Sequence, residues 1–381
     1  MMYFDNGATT FPKPKKVIDK LIEATTKYGA NPGRSGHHLS LMMDREIFRA
    51  RESVTNLIHG EDCFNTIFTY NCTDALNMAI KGSIKDPCHV ITTAMEHNSV
   101  LRPLFQLKKQ GIIDLTVVSA DGKGRVNPQD MEKAIGKETK LCVMTAMSNL
   151  TGTIMDYREI GQIMKDHDIR FIIDGAQALG YLDINMTKDP VDILCFAGHK
   201  GLYGPQGTGG LYFKPGVEIN SFREGGTGSK STELLQPSMS PDKFEAGTAN
   251  GPGIVALGAG CEFVMETGID NIKEHENRLK NKMIERLRDR ENIILYGPLD
   301  ENQGPVISMN IESMDSSIFA MELDRRYNIA TRAGIHCAPL AHKALGTVEK
   351  GAVRFSFSYF NTMDEVEQAI DAVLELSEEK A

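Results

Sequence analysis

No stretch of the 381-residue chain reaches the length of about 18 apolar residues that a membrane-spanning helix needs, so no membrane partner is expected. Positive charge is also in short supply. The chain has 42 Lys and Arg against 51 Asp and Glu, a formal net charge of -9, which implies neither a nucleic-acid partner nor an anionic surface. Paired cysteines are missing. The seven (Cys63, Cys72, Cys88, Cys142, Cys195, Cys261 and Cys337) are odd in number and form no CxxC. That argues against a disulfide framework and a structural zinc site, and for a reducing, cytoplasmic compartment with no metal. The first residues, MMYFDNGATTF, hold no basic segment ahead of an apolar one, so no signal peptide is expected. Internal repeats, low-complexity segments and the P-loop and GxGxxG patterns are absent.

What the chain does have is alternation. Short apolar runs at 88–95, 115–120, 140–147, 169–174 and 192–198 are separated by amphipathic stretches such as 127–136 and 158–168. This predicts βαβ units around a mainly parallel sheet, whose strands are apolar throughout because both faces are covered. After about residue 255 a long charged helical stretch (271–292) is followed by candidate strands at 292–297, 305–311 and 353–358 and helices at 316–327 and 362–379. The reading is an α/β protein with a large domain over 15–255. A smaller α+β domain over 256–381 takes in the N-terminal segment 1–14.

Ligands of open α/β sheets bind beyond the carboxyl ends of the strands. Four of these runs end in polar residues: Glu96-His97-Asn98, Ser148-Asn149, Asp174 with Gln177, and His199-Lys200. A lysine at such a place loses its proton more readily and can form a Schiff base with a carbonyl. An acid at a neighbouring strand end suits a pyridinium nitrogen, and the two together point to pyridoxal phosphate. The ordinary alternatives are a solvated loop lysine and a helix-capping aspartate. Asn-Cys-Thr-Asp (71–74) ahead of an amphipathic helix offers N–H groups to a phosphate. The glycines at 201, 204, 207, 209 and 210 read as tight turns beside the cofactor.

These residues, with YFDNGATT (3–10), SNLTGT (148–153), GHKGLYGPQG (198–207), FEAGTAN (244–250), RAGIHCA (332–338) and VRFSFSYFNT (353–362), resemble the class V aminotransferase family of fold-type I pyridoxal phosphate enzymes. Within it they are most similar to the cysteine desulfurase and selenocysteine lyase branch with a short cysteine-bearing loop. The resemblance covers nearly the whole chain and implies a large domain built on a seven-stranded sheet. It implies that Lys200 holds the cofactor, Asp174 pairs with the ring nitrogen, Gln177 reaches the ring oxygen and His97 stacks on the ring. Cys72, Thr73 and His199 would hold the phosphate, and Thr248 that of the neighbouring subunit in a homodimer. Asn149, Arg354 and Arg332 would bind the substrate carboxylate, an exposed strand arginine in a salt bridge being the plainer reading of Arg354.

Cys337 matches the catalytic cysteine of that branch, which takes sulfur from L-cysteine, or selenium from L-selenocysteine, and passes it to an acceptor protein. Gly334 and Pro339 suggest a bent, exposed loop, and Arg332 and His336 are placed to favour a thiolate. The bland alternative is a small buried hydrophobe. A transaminase or epimerase on the same scaffold would keep Lys200, Asp174, Gln177 and Arg354 without using Cys337. A non-catalytic persulfide carrier would have no use for Lys200. The chain departs from the family pattern at Ala197 (Ser or Thr is usual), at Cys72, at an extra Gly201 after Lys200, and in APLAHKALGT after Cys337, where His342 and Lys343 are expected on the acceptor side.

Overall fold

The computed structural model describes residues 1–33 and 36–379. Its central sheet has seven strands in the spatial order Thr66–Thr69, Gly209–Phe213, Ile193–Ala197, Arg170–Asp174, Thr139–Thr145, Cys88–Thr93, Ile113–Val118. Only Gly209–Phe213 runs against its neighbours. The other pairings are parallel. The expected α/β class with a mainly parallel seven-stranded sheet is borne out, and each of the five predicted central strands is present within two residues at either end.

The unbroken apolar runs follow from helices on both faces. Successive residues of one strand enter different cores: Ile172, Ile193 and Cys195 pack with Leu76, Ile80 and Leu104, while Ile173, Leu194 and Phe196 pack with Val54, Leu257 and Tyr203. The sequence signals no strand at Thr66–Thr69 or Gly209–Phe213, and the expectation that Gly209 and Gly210 make turns is corrected. Both lie within a strand, and their bareness serves close approach. A Cβ on Gly209 would stand 2.7 Å from the Asn71 backbone, and one on Gly210 2.3 Å from Ile67 O.

The extra Gly201 has a similar explanation. A Cβ there would meet Leu179 O at 2.3 Å, and one on Gly180 would meet Gly201 O at 2.1 Å. Two bare backbones cross directly beside Lys200, and any side chain would push them apart.

A four-stranded antiparallel sheet, in the order Arg332–Gly334, Ala352–Ser356, Val306–Ile311, Ile293–Tyr296, carries the second core. Helices Ile269–Leu287, Ser316–Tyr327 and Met363–Glu378 cover it through Leu279, Phe319, Leu323, Val366 and Ile370. Thr362 and Glu365 form a capping box that starts the last helix. The preceding helix, Gly251–Thr267, packs instead on Lys15–Lys27 and His38–Leu57.

The chain's beginning joins the second sheet to the first. Met2–Tyr3 pairs in parallel with Ile329–Ala330, Asp5 bridges to Ser356, and Thr10 donates to His199 O at 3.0 Å. Among the described residues, no helix is long and apolar enough to cross a membrane.

Candidate active site

Strand Arg170–Asp174 delivers Asp174 to the sheet edge almost fully buried. One of its oxygens, Oδ1, accepts from the Ala176 N–H at 2.9 Å and faces the Cys72 sulfur at 3.5 Å. Cys72 opens helix Cys72–Ser83, which is capped by the Asn71 side chain accepting from Asp74 N at 2.9 Å. Thr73 is exposed at the same end. A helix N-terminus therefore opens beside a buried carboxylate, with free N–H groups suited to an anion.

Lys200 follows strand Ile193–Ala197. It is partly open to the cavity, yet burial lowers the pKa of its ammonium. Asp174 and Cys72 oppose that shift, while Arg354 and Arg332 add to it. His97 caps helix Asn98–Lys109, its Nδ1 accepting from Ser99 N at 3.1 Å, which leaves Nε2 free. Burial pushes His97 down to about 4 against the pull of Asp174, so the ring is neutral at pH 7. His199 is likewise pushed down to about 4, and its Nδ1 is buried with no hydrogen-bond partner. Gln177 donates to Gly7 O at 2.9 Å.

The opposite wall comes from the smaller sheet. Arg332 and Arg354 are direct cross-strand partners. Like charges in that position repel, so the pair favours an anion between or beside them. Arg354 is fully buried; it donates to Asp5 Oδ1 at 2.8 Å and Asn149 O at 2.9 Å, while its Nε has no partner. The plainer reading of Arg354 as an exposed arginine in a salt bridge is corrected: the ion pair to Asp5 is there, but the side chain is buried. Asn149 donates to His336 O at 2.8 Å, and its Oδ1 is also unpartnered. Gly7 packs against the guanidinium: a Cβ there would lie 3.1 Å from Arg354 Cζ.

Cys337 is exposed, as a displayed thiol requires. It and His336 are consecutive left-handed residues, with φ of 56° and 51°. That conformation costs roughly 1–2 kcal/mol for each non-glycine residue, so the surroundings must hold it. Asn98 N donates to Cys337 O at 2.7 Å, which ties the loop to the start of the helix that His97 caps. Arg332 reaches the Cys337 sulfur at 3.9 Å.

Two expectations are corrected. His336 supplies no charge to the thiol: its ring turns inward, bonds to Arg332 O and His342, and burial pushes it down to about 3. His342 does not face an acceptor either, being fully buried, while Lys343 is exposed.

Thr248 stands apart from this group. It is exposed and lines a separate pocket with Tyr70, Arg223, Gly207 and Asn250. Sequence reasoning assigned no part to Asp5, Gly7 or Lys13, although YFDNGATT was among the motifs. Lys13 donates to His199 O at 3.0 Å, and burial lowers its pKa to about 8.

Glu96, beneath His97, is a buried carboxyl pushed up to about 8 by desolvation, with the Thr93 hydroxyl donating to it. A carboxyl raised in the folded state gives stability that is present below its ordinary value near 4.5 and is lost as pH rises towards 8. Glu96→Gln should therefore stabilise the protein, on the order of 3 kcal/mol at pH 7. Thermal melts from pH 5 to 8 should show the two proteins diverging as pH rises. Parallel curves would mean that Glu96 does not titrate in this window.

A buried acid, a lysine with lowered pKa and a neutral imidazole at strand ends of the large sheet, a helix N-terminus beside them and two juxtaposed arginines within the smaller sheet make an arrangement suited to a carbonyl-bearing anion and a carboxylate. The chain belongs to the aminotransferase class-V family, whose model matches residues 2–369.

Its relatives narrow this further. It is 34% identical over 374 residues to a probable cysteine desulfurase of Methanothermobacter thermautotrophicus, covering 96% of this chain and 92% of that one. It is 35% identical to a probable cysteine desulfurase of Pyrococcus abyssi, covering 99% and 94%. The apo structure of a cysteine desulfurase from Thermococcus onnurineus NA1 superimposes with a TM-score of 0.93 at 33% identity, covering 99% of this chain and 94% of that one.

Proposed function

We propose that this protein is a pyridoxal-phosphate-dependent cysteine desulfurase that releases L-alanine and carries the sulfur as a persulfide on Cys337. The observation that carries the reading is the position of Cys337: an exposed thiol on a fixed loop, 3.9 Å from Arg332, which with its cross-strand partner Arg354 is near enough to Lys200 to help lower its pKa.

The residues present fit the cofactor. His199 Nδ1 is a buried polar atom without a partner, and it lies beside a lysine poised to lose its proton. Lys200 would hold the group covalently, Asp174 its ring nitrogen, Gln177 its ring oxygen and His97 its face. The 72–83 helix start with Thr73 and His199 would take the phosphate, with Ala197 contributing no hydroxyl. When bound, pyridoxal phosphate supplies an electron sink that makes the bonds at the substrate's Cα and Cβ breakable.

The chain's own residues do the rest. Arg354 Nε, Arg332 and Asn149 Oδ1 orient the amino acid, the arginines by binding its carboxylate. Lys200 Nζ takes the proton from Cα, with neutral His97 Nε2 a second acceptor nearby. The Cys337 thiolate attacks the substrate sulfur. The S–S bond forms as the Cβ–S bond breaks, its electron pair stays on carbon, and a proton there completes alanine.

L-Selenocysteine fits the same pocket as a second substrate. Thr248 is exposed in a pocket that Lys200 does not line, and Leu234, Leu235 and Met239 are exposed apolar side chains; both support a homodimer in which Thr248 reaches the partner's cofactor phosphate. An acceptor protein would then collect the sulfur from Cys337. The reading is tested by assaying products from L-cysteine with a thiol reductant: alanine and sulfide in equal amounts are expected. A keto acid with no sulfide would overturn it.

A further inference from the structure

Directly behind Cys337 lies a chain of three buried side chains that the mechanism above does not use. The Thr347 hydroxyl is 2.7 Å from His342 Nδ1, His342 Nε2 is 3.4 Å from His336 Nδ1, and His336 Nε2 is 3.0 Å from Arg332 O. His336, His342 and Thr347 expose 2%, 0% and 4% of their surface. The ring planes lie within 7° of each other with centroids 5.6 Å apart. Because the facing nitrogens are far closer than the centroids, the rings meet edge to edge, as hydrogen-bonded rings do, and not face to face.

The chain has a direction. A carbonyl can only accept, so His336 must carry its proton on Nε2 and present a lone pair at Nδ1. His342 must then carry its proton on Nε2 and present a lone pair to Thr347, whose hydroxyl donates. Every proton is fixed by the carbonyl of Arg332, the residue whose guanidinium meets the Cys337 sulfur.

We propose that His342 and Thr347 are positioning residues for sulfur transfer. They lock the tautomer and orientation of His336, and so hold the left-handed His336–Cys337 pair and the Arg332 backbone in place. The thiol then meets the substrate sulfur from one fixed position. The site's other anchors, Asn98 N on Cys337 O and Asn149 on His336 O, grip only the backbone; the relay grips the side chain between them.

The inference rests on the reading of Cys337 as sulfur carrier, and its test separates the two. Thr347→Val removes one hydroxyl at constant volume. It leaves His342 Nδ1 unpaired, and a tautomer flip there would set two lone pairs against each other. His342→Phe removes both nitrogens, and Thr347→Ser keeps the donor.

In single turnovers of cofactor-loaded enzyme with L-cysteine, followed by mass spectrometry of Cys337, Thr347→Val and His342→Phe should form persulfide roughly 10- to 100-fold more slowly, as a nucleophile displaced by about an ångström does. KM should stay within about twofold, and Thr347→Ser should match the wild type. Amide exchange of residues 335–338 should quicken in the two impaired variants alone. A purely structural role would lower the melting temperature and leave the rate of folded enzyme intact.

Wild-type rates and exchange in Thr347→Val would overturn the relay. So would a Thr347→Ser protein as impaired as Thr347→Val. Absence of persulfide in the wild type would sink the sulfur-carrier reading, and amide exchange would still decide whether the relay holds the loop.

Discussion

Replacing Lys200 with alanine is expected to reduce alanine release from L-cysteine by at least ~10³-fold, since a positioned general base alone is worth about 10²–10⁴ and Lys200 is also the proposed covalent anchor of the cofactor. Burial lowers the pKa of this ammonium, so the neutral amine is reached at lower pH than for a free lysine. Activity limited by that proton should rise with pH through the lowered value. Lys200→Arg separates charge from base function: arginine keeps the cation beside Asp174 and does not surrender its proton. It should be as inactive as alanine. Either variant keeping more than a tenth of wild-type activity would remove Lys200 from the chemistry.

Cys337→Ala should leave the cofactor's absorbance unchanged, because Cys337 is exposed and its contacts, Asn98 N and Arg332, are not among the residues proposed to hold the cofactor. Sulfide release from L-cysteine should nevertheless fall by more than ~100-fold, since the sulfur has no other exposed thiol to receive it at this mouth. Cys72, like Cys195 a thiol next to Asp174, is buried, and burial with that carboxylate drives its pKa well above the ordinary thiol range. It is therefore no substitute nucleophile. Cys337→Ser should behave as alanine does. With L-selenocysteine the outcome should differ: selenium leaves carbon readily, so alanine should still be released without a covalent stage on the protein. Equal loss of both activities would show that selenium too must pass through Cys337.

The residues legible from sequence are those whose meaning is local. Asp174, Asn149, His97 and Lys200 each follow a run of buried strand residues, and a polar residue at that place points into the crevice whatever else the chain does. Resemblance located Cys337, and the Gly334 and Pro339 around it correctly foretold an exposed loop. Relations set by tertiary packing were out of reach. Nothing near Arg354 announces that Asp5, 349 positions earlier, will bind it. His342 reads as a polar residue on the acceptor side, and its burial follows only from how helix Pro339–Ala344 turns it towards His336 and Thr347. Gly209 and Gly210 look like turn residues because bareness is the same signal whether a chain bends or another backbone passes close.

The strap formed by residues 2–10 sets a timetable for synthesis. Asp5 leaves the ribosome long before the arginine it binds, which belongs to a strand that emerges 349 residues later. At elongation rates of about 5–20 residues per second, that is a wait of roughly 20–70 s. The large sheet can close around Asp174 and Lys200 in that time, but the carboxylate pocket cannot exist. A nascent chain therefore completes the strands that carry Asp174 and Lys200 long before it can seat Arg354 on Asp5.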